Sequence, residues 1–171
     1  MRKICFISYR RQDSKIMAEN IKARIDRRYQ GRVFFDDHEA SSTGIELGAD
    51  FVAHIEQELS KSAVMLVIVG PEWQQLAQEK CKRKEKDWVL FEIESALSQD
   101  EPVPLIPVLI EGAEMPKDEY VPEGFSRANG ISLRPRDHKG YEEGVRVLLS
   151  KVEEFMGPPD NPRHWNNAML L

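Results

Sequence analysis

Trp88 and Glu92 are the two side chains whose types and spacing most directly suggest chemistry. Residues four apart on a helix are neighbours on one face, so the indole and the carboxylate would lie side by side. An indole face attracts a flat cation such as a pyridinium ring, and the carboxylate would face an attached ribose. Breaking that bond leaves an oxocarbenium-like sugar and a neutral ring that needs no proton, so one carboxylate suffices where ordinary glycosidases use two. The pair therefore predicts cleavage of an N-glycosidic bond to nicotinamide, although a packed Trp beside a solvated Glu has the same spacing.

The hydrophobic pattern around this pair predicts strands and helices that alternate along the chain. Strands are predicted at residues 4–9, 33–35, 63–69, 103–110 and 131–133, and apolar helical stripes begin near Met17, Phe51, Val89 and Tyr141. The run 63–69 is apolar at every position, which is typical of the buried centre of a parallel sheet. Pro104 and Pro107 favour the margin of the sheet for the fourth strand.

This alternation predicts an α/β fold with a parallel sheet covered on both faces. The simplest arrangement is a flavodoxin-like three-layer sandwich with five strands in the order 2-1-3-4-5. Ligands of such sheets bind beyond the carboxyl ends of the strands, near the switch point between strands one and three. The segments expected at this edge are 9–13, 36–48 and the stretch from Gly70 into the helix of Trp88.

Composition describes one soluble globular domain. The 171 residues are 41% apolar and 31% charged, and such a length can bury a proper core without a disulfide or metal staple. The longest apolar run, 63–69, is far below the roughly 20 residues of a membrane span, and the N-terminus has no signal-peptide core. We therefore expect a cytoplasmic protein with no membrane partner.

The charges and cysteines of the chain indicate which kinds of partner and site are not expected. A formal charge of −5 makes nucleic acid an unexpected direct partner, and the basic run Lys80–Lys86 is interpreted as a solvated loop. Cys5 lies in an apolar run and is predicted to be buried, whereas Cys81 is predicted to be an incidental surface thiol. No metal site is predicted.

Several familiar motifs are missing from the sequence. It contains no GxxxxGK[ST], GxGxxG, CxxC or HExxH pattern and no Gly-x-Ser-x-Gly elbow. Asp36 and Asp37 suggest a phospho-acceptor receiver domain, but that pair follows the first strand in receivers and the second strand here. The third strand also ends in Gly70-Pro71-Glu72 rather than in an acceptor Asp, so the receiver interpretation fails.

Three boxes in order resemble the TIR (Toll/interleukin-1 receptor) domain family. Residues 5–11, Cys-Phe-Ile-Ser-Tyr-Arg-Arg, resemble the first box, and residues 33–36 with the loop to Gly48 resemble the second strand and the BB loop. Residues 88–93, Trp-Val-Leu-Phe-Glu-Ile, resemble the Trp-x-x-x-Glu-Ile segment of TIR domains that hydrolyse NAD. The resemblance extends from Lys3 to about Phe155 and points to the bacterial NAD-hydrolysing branch.

The resemblance implies cleavage of NAD⁺, as substrate rather than cofactor, into nicotinamide and ADP-ribose or a cyclic isomer. By position, Glu92 is the catalytic carboxylate and Trp88 stacks near the leaving ring. Tyr9, Arg10 and Arg11 end the first strand at the pocket rim, where a guanidinium would face the pyrophosphate or orient an acid, with a surface ion pair as the alternative. Asp36 and Glu46, at the two ends of the BB loop, complete the predicted substrate-binding set, while Phe51 is predicted to be core.

The resemblance also implies activation by self-association through the BB loop, residues 36–48, in bacterial immune signalling or anti-phage defence. A domain over 1–156 followed by a Pro-rich linker or tail, 157–171, is compatible with a C-terminal sensor or a separate trigger protein. Two alternatives stay open. One is a non-catalytic TIR adaptor that acts by homotypic association, and the other is an enzyme similar to nucleoside deoxyribosyltransferases.

Overall fold

The computed structural model describes residues 3–35, 49–133 and 138–160. Within these ranges strands and helices alternate, as the sequence predicts. The strands are β1 Ile4–Tyr9, β2 Val33–Phe35, β3 Ser62–Val69, β4 Leu105–Ile110 and β5 Ile131–Leu133, and the helices are α1 Arg11–Asp26, α2 Ala49–Ser60, α3 Trp73–Arg83, α4 Trp88–Leu97 and α5 His138–Met156. A 3₁₀ turn, Asp118–Tyr120, lies between β4 and β5.

The five strands form a parallel sheet in the order β2-β1-β3-β4-β5, which confirms the predicted topology. Helices α1 and α5 pack on one face of the sheet, and helices α2, α3 and α4 cover the other. The fold is therefore the α/β three-layer sandwich that the alternating pattern predicts.

Side chains on β1 alternate between the two helical layers, as the pleat of a strand requires. Ile7 and Tyr9 lie in the layer of α1 and α5, whereas Phe6 lies in the layer of α2, α3 and α4. Ser8 follows Phe6 on that second face and bonds to a residue of α4. Ser8, near the carboxyl end of β1, thus brings a polar side chain into the second layer.

Strand β4 differs from the sequence prediction in its position. It begins at Leu105 and pairs with both β3 and β5, so it is not at the edge of the sheet. The amide of Met65 donates to the carbonyl of Pro104, so Pro107, three residues on, has its nitrogen on the β5 side. Because β5 pairs only with residues 108–110, that nitrogen faces no strand partner, and the sheet tolerates the proline.

The interpretation of Lys80–Lys86 as a loop is wrong for its first four residues. Helix α3 extends to Arg83 and ends at Lys84, whose φ of 55° is left-handed. Trp73 and Ala77, four residues apart, bury its inner face, a spacing that the polar residues between them obscured. The basic residues from Lys82 onward are exposed, as expected.

Two further predictions concern the cysteines and the membrane. Cys5 is buried, and burial raises the pKa of its thiol, whereas Cys81 is exposed. Among the described residues, none of the helices has the length and apolar character needed to cross a bilayer.

Candidate functional site

Glu92 lies in the middle of the buried face of α4. Val89, Ile93 and Ala96 on the same face pack towards the sheet, and only 1% of Glu92 is exposed. The hydroxyl of Ser8 donates a hydrogen bond to the Oε2 atom of Glu92. The carboxylate is therefore held at the carboxyl end of β1 inside the protein, and the solvated alternative does not describe it.

Trp88 begins α4 in an aromatic cluster. Its ring meets Phe51 and Phe91 nearly perpendicularly, with centroid distances of 5.0 and 5.7 Å. The ammonium of Lys86 lies 3.9 Å from the centroid of the Trp88 ring. This indole therefore already makes a cation–π contact of the kind that the sequence analysis predicts for a pyridinium ring. Phe51 packs at the margin of the core, as predicted, and also contacts this ring.

Arg10, directly after β1, forms a buried ion pair rather than a surface one. Its Nη1 and Nη2 atoms donate to the two carboxylate oxygens of Asp87, at 3.1 and 2.7 Å. Only 2% of the Arg10 side chain and 9% of the Asp87 side chain are exposed. The guanidinium also lies 4.5 Å from the ring centroid of Trp73, the first residue of α3. Of the predicted roles of Arg10, the arrangement fits the orientation of an acid.

Asp87 also caps α4. Its carboxylate accepts a hydrogen bond from the backbone amide of Leu90 at 3.2 Å, which satisfies one of the unpaired amides of the first turn. The same carboxylate therefore joins the end of β1 to the start of the helix that carries Trp88 and Glu92.

Asp13 braces a neighbouring part of the same sheet edge. From the first turn of α1 it accepts hydrogen bonds from the amides of Gly70 and Glu72, each at 2.9 Å. Burial raises the pKa of Asp13, although the two amides oppose that shift. A Cβ atom on Gly70 would overlap both carboxylate oxygens, so this close approach requires glycine.

The remaining predicted residues are not gathered around Glu92. Tyr9 is buried in the layer of α1 and α5, where its ring stacks on Phe35 with a centroid distance of 4.6 Å. Arg11 is the half-buried first residue of α1. Asp36 and Glu46, with the rest of the predicted BB loop, lie outside the described residues.

Among the cavities bordered by described residues are two that are lined by neither Glu92 nor Trp88. The larger, of about 360 Å³, lies at the carboxyl ends of β3 and β4 and is bordered by Gly70, Trp73 and residues 112–117. Trp73 thus lines this cavity and also contacts the guanidinium of Arg10. No group of three or more His, Cys, Asp or Glu side chains in the described ranges could hold a metal ion.

Sequence reasoning missed two residues that hold the site together, Ser8 and Asp87. Asp87 directly precedes an apolar helical stripe, which is a recognisable N-cap signal. Ser8 stands where the apolar alternation of β1 stops, just before the end of the strand, and that interruption was its only signal. Neither signal identifies the partner, since these contacts join positions 77 and 84 residues apart in the sequence.

Comparisons with known proteins agree with this architecture. The family model of the TIR domain matches residues 5–149. The fold is similar to that of the TIR domains in the structure of the activated Roq1 resistosome directly recognizing the pathogen effector XopQ, with 13% sequence identity and a TM-score of 0.56. That match covers 88% of this chain and 99% of the other, and at this identity it establishes the fold alone. A search of curated proteins found no match.

Proposed function

The chain belongs to the TIR domain family, and we propose that it is an NAD⁺ glycohydrolase of the bacterial NAD-hydrolysing branch. It cleaves NAD⁺ into nicotinamide and ADP-ribose or a cyclic isomer. The observation that carries the proposal is the burial of Glu92 at the carboxyl end of β1, where the hydroxyl of Ser8 donates to its carboxylate. An ionisable group is rarely kept inside a domain without a partner or a task.

The proposed reaction needs one carboxylate at the anomeric carbon. The bond between the ribose C1′ and the pyridinium nitrogen breaks, and its electron pair neutralises the departing nicotinamide. Positive charge then develops on the ribose, where the Glu92 carboxylate stabilises it electrostatically. Water adds to C1′ and releases a proton to give ADP-ribose, or a nucleophilic atom of the adenine adds instead to give a cyclic isomer.

Trp88 is proposed to bind the nicotinamide ring before it leaves. The contact between Lys86 and the indole supports this role, because the ammonium of Lys86 already lies against the ring. A cation–π contact is worth about 0.5–2 kcal/mol and is lost when the ring becomes neutral. The product nicotinamide therefore leaves this position more readily than the substrate ring.

Activation is proposed to depend on self-association through residues 36–48, with a C-terminal sensor or a separate protein as the trigger. The TIR domains of the Roq1 resistosome are similar in fold and belong to a complex described as activated. By this analogy the setting is immune signalling, in bacteria anti-phage defence. Arg11, Asp36 and Glu46 stay proposed substrate contacts, whereas Tyr9 is buried in the layer of α1 and α5, and that position does not support the predicted contact.

The test is nicotinamide release from NAD⁺, measured with mass spectrometry of the products over a range of protein concentrations. Glu92→Gln keeps the shape of the side chain and removes its charge, so we expect kcat to fall by about 10²–10³-fold. Glu94→Gln is the matched control, since Glu94 is exposed two residues further along α4. Equal rates for the wild type and Glu92→Gln would contradict the proposal.

A rate per molecule that does not change with protein concentration would contradict activation by assembly but not catalysis. Association without consumption of NAD⁺, unaffected by Glu92→Gln, would instead indicate the adaptor. Base exchange on deoxynucleosides without loss of NAD⁺ would indicate the deoxyribosyltransferase-like enzyme.

A further inference from the structure

The ion pair between Arg10 and Asp87 is an unexpected use of a predicted substrate-binding arginine. We infer that the pair is a positioning device that fixes α4 against the end of β1 and so sets the location of the Glu92 carboxylate. The inference rests on the proposed function for its effect on catalysis. In it, Arg10 acts through Asp87 and does not bind the pyrophosphate.

The first support is the geometry of the pair. Both terminal nitrogens of Arg10 bond to Asp87, one to each carboxylate oxygen. This bidentate arrangement fixes direction as well as distance, which a single contact does not. Trp73 lies against the guanidinium and limits its rotation. One N–H group of each terminal nitrogen is therefore already bonded to Asp87.

The second support is energetic. Two charges taken out of water lose several kcal/mol of hydration, and their attraction often fails to repay this cost relative to an apolar pair. Arg10 and Asp87 are almost completely buried, so net stability is a poor explanation for the pair. Fixing one packing arrangement is a function that an apolar pair performs less well, because apolar contacts are not directional.

The third support is that β1 contacts α4 through side chains at two levels. Ser8 and Arg10 project from the same side of the chain, two residues apart, and bond to Glu92 and Asp87 respectively. One contact at the N-cap and a second more than one turn further on constrain both the tilt and the rotation of α4. If the pair at the cap is removed, the Ser8 bond and the non-directional apolar packing of α4 remain, and the carboxylate shifts relative to the ribose.

The test uses three variants of the whole chain. Arg10→Met removes both the charge and the bidentate contact. Arg10→Lys keeps the charge but cannot make the bidentate contact. Asp87→Asn keeps a capping oxygen for Leu90 but removes the ion pair. Nicotinamide release is measured at a fixed protein concentration above that needed for full activity. Arg24→Met is the control, because Arg24 makes a bidentate pair with Glu142 between α1 and α5, away from α4.

We expect kcat to fall about 10–100-fold in each of the three variants, since a displacement near 1 Å costs about 10²-fold. KM should change less than about threefold, and the double variant of Arg10→Met with Asp87→Asn should be no slower than either single variant. Arg24→Met should keep its kcat. The inference is overturned if Arg10→Met raises KM at constant kcat while Asp87→Asn has no effect, because Arg10 would then contact the substrate.

Amide hydrogen exchange separates this inference from the proposed function. In Arg10→Met the amides at the start of α4, including Leu90, should exchange at least tenfold faster, while those of α5 keep their rates. If the wild type releases no nicotinamide, the proposed function fails and this measurement alone decides the inference. Unchanged exchange in α4, or equal acceleration in every helix, would overturn it.

Discussion

Two buried arginines lie at opposite ends of neighbouring strands, Arg10 directly after β1 and Arg32 directly before β2. They are similarly buried, since 2% of Arg10 and 7% of Arg32 is exposed. Arg10 donates two hydrogen bonds to the carboxylate of Asp87. Arg32 instead donates to the carbonyls of Lys3 and Met156 and, at 3.4 Å, to Asp160.

The partners explain the different tasks. Arg32 bonds mainly to backbone carbonyls, which any residue offers, and so joins the start of β1 to the end of α5, with a longer contact to the carboxylate of Asp160. Tyr29 assists by donating to the carbonyl of Gly157 at 2.8 Å. Arg10 selects one carboxylate, and that carboxylate caps the helix that carries Glu92. The comparison teaches that burial alone does not distinguish a structural arginine from one that serves a site, whereas the partner does.

The largest effect is expected from Gly70→Ala at the carboxyl end of the sheet. The added methyl group displaces the Asp13 carboxylate from its two amides, so the free energy of unfolding should fall by about 3 kcal/mol. The kcat of nicotinamide release should fall as well, because the Asp13 amide bonds to the carbonyl of Arg10. Urea unfolding and steady-state kinetics measure the two changes.

Gly31→Ala is the control for Gly70→Ala. Gly31, unlike Gly70, has a left-handed φ, of +66°, and no atom within 4 Å of an added Cβ, so the cost of its substitution is backbone strain of about 1 kcal/mol. Equal losses of stability in the two variants would contradict the steric role of Gly70.

A smaller loss of stability is expected from Arg32→Met at the amino end of the sheet. Loss of its hydrogen bonds to the carbonyls of Lys3 and Met156 should lower the free energy of unfolding by about 2 kcal/mol. The kcat of the folded protein should not change, because no partner of Arg32 belongs to α4. The comparison of the two arginines would break if Arg32→Met reduced kcat as much as Arg10→Met does.

The smallest effect is expected from Tyr29→Phe, which removes one hydrogen bond and about 1 kcal/mol of stability at neutral pH. Burial, followed by the charge of Glu153, raises the pKa of Tyr29 from 10.0 to about 12. A raised pKa means that the stabilisation is complete below pH 10 and is lost as the pH rises to 12. Unfolding at pH 9 and at pH 11.5 should therefore give a smaller difference between the two proteins at the higher pH. A difference that does not depend on pH would contradict the shift.

Much of the fold could be predicted because its elements carry strong local patterns. The uniformly apolar run of β3, the four-residue spacing in α1 and the alternating four- and three-residue spacing in α5 each depend on residues close in sequence. Helix α3 was missed because Trp73 and Ala77 are its only two fully buried side chains. The position of β4 was misjudged because the tolerance for Pro107 depends on the length of β5, which the proline itself does not reveal.

In the candidate site too, contacts between residues close in sequence could be predicted and contacts between distant residues could not. Trp88 and Glu92 were identified as a pair because four residues of helix bring them together. The partner of Arg10 was not identified from the sequence, since Asp87 is 77 residues away and carboxylates are common in this chain. The contacts of Asp36 and Glu46 stay predictions, as does the boundary between a domain over 1–156 and a tail over 157–171.

The sequence by itself determined the alternation of strands and helices and the helical turn that joins an indole to a carboxylate, because local periodicity encodes both, and the rules for parallel crossovers then favoured the strand order and the two helical layers. Only the tertiary structure decided that Glu92 is buried against Ser8 and that Arg10 pairs with Asp87. Those contacts form between segments that meet only when the sheet is assembled. Their strength depends on distance and burial, which no local pattern contains.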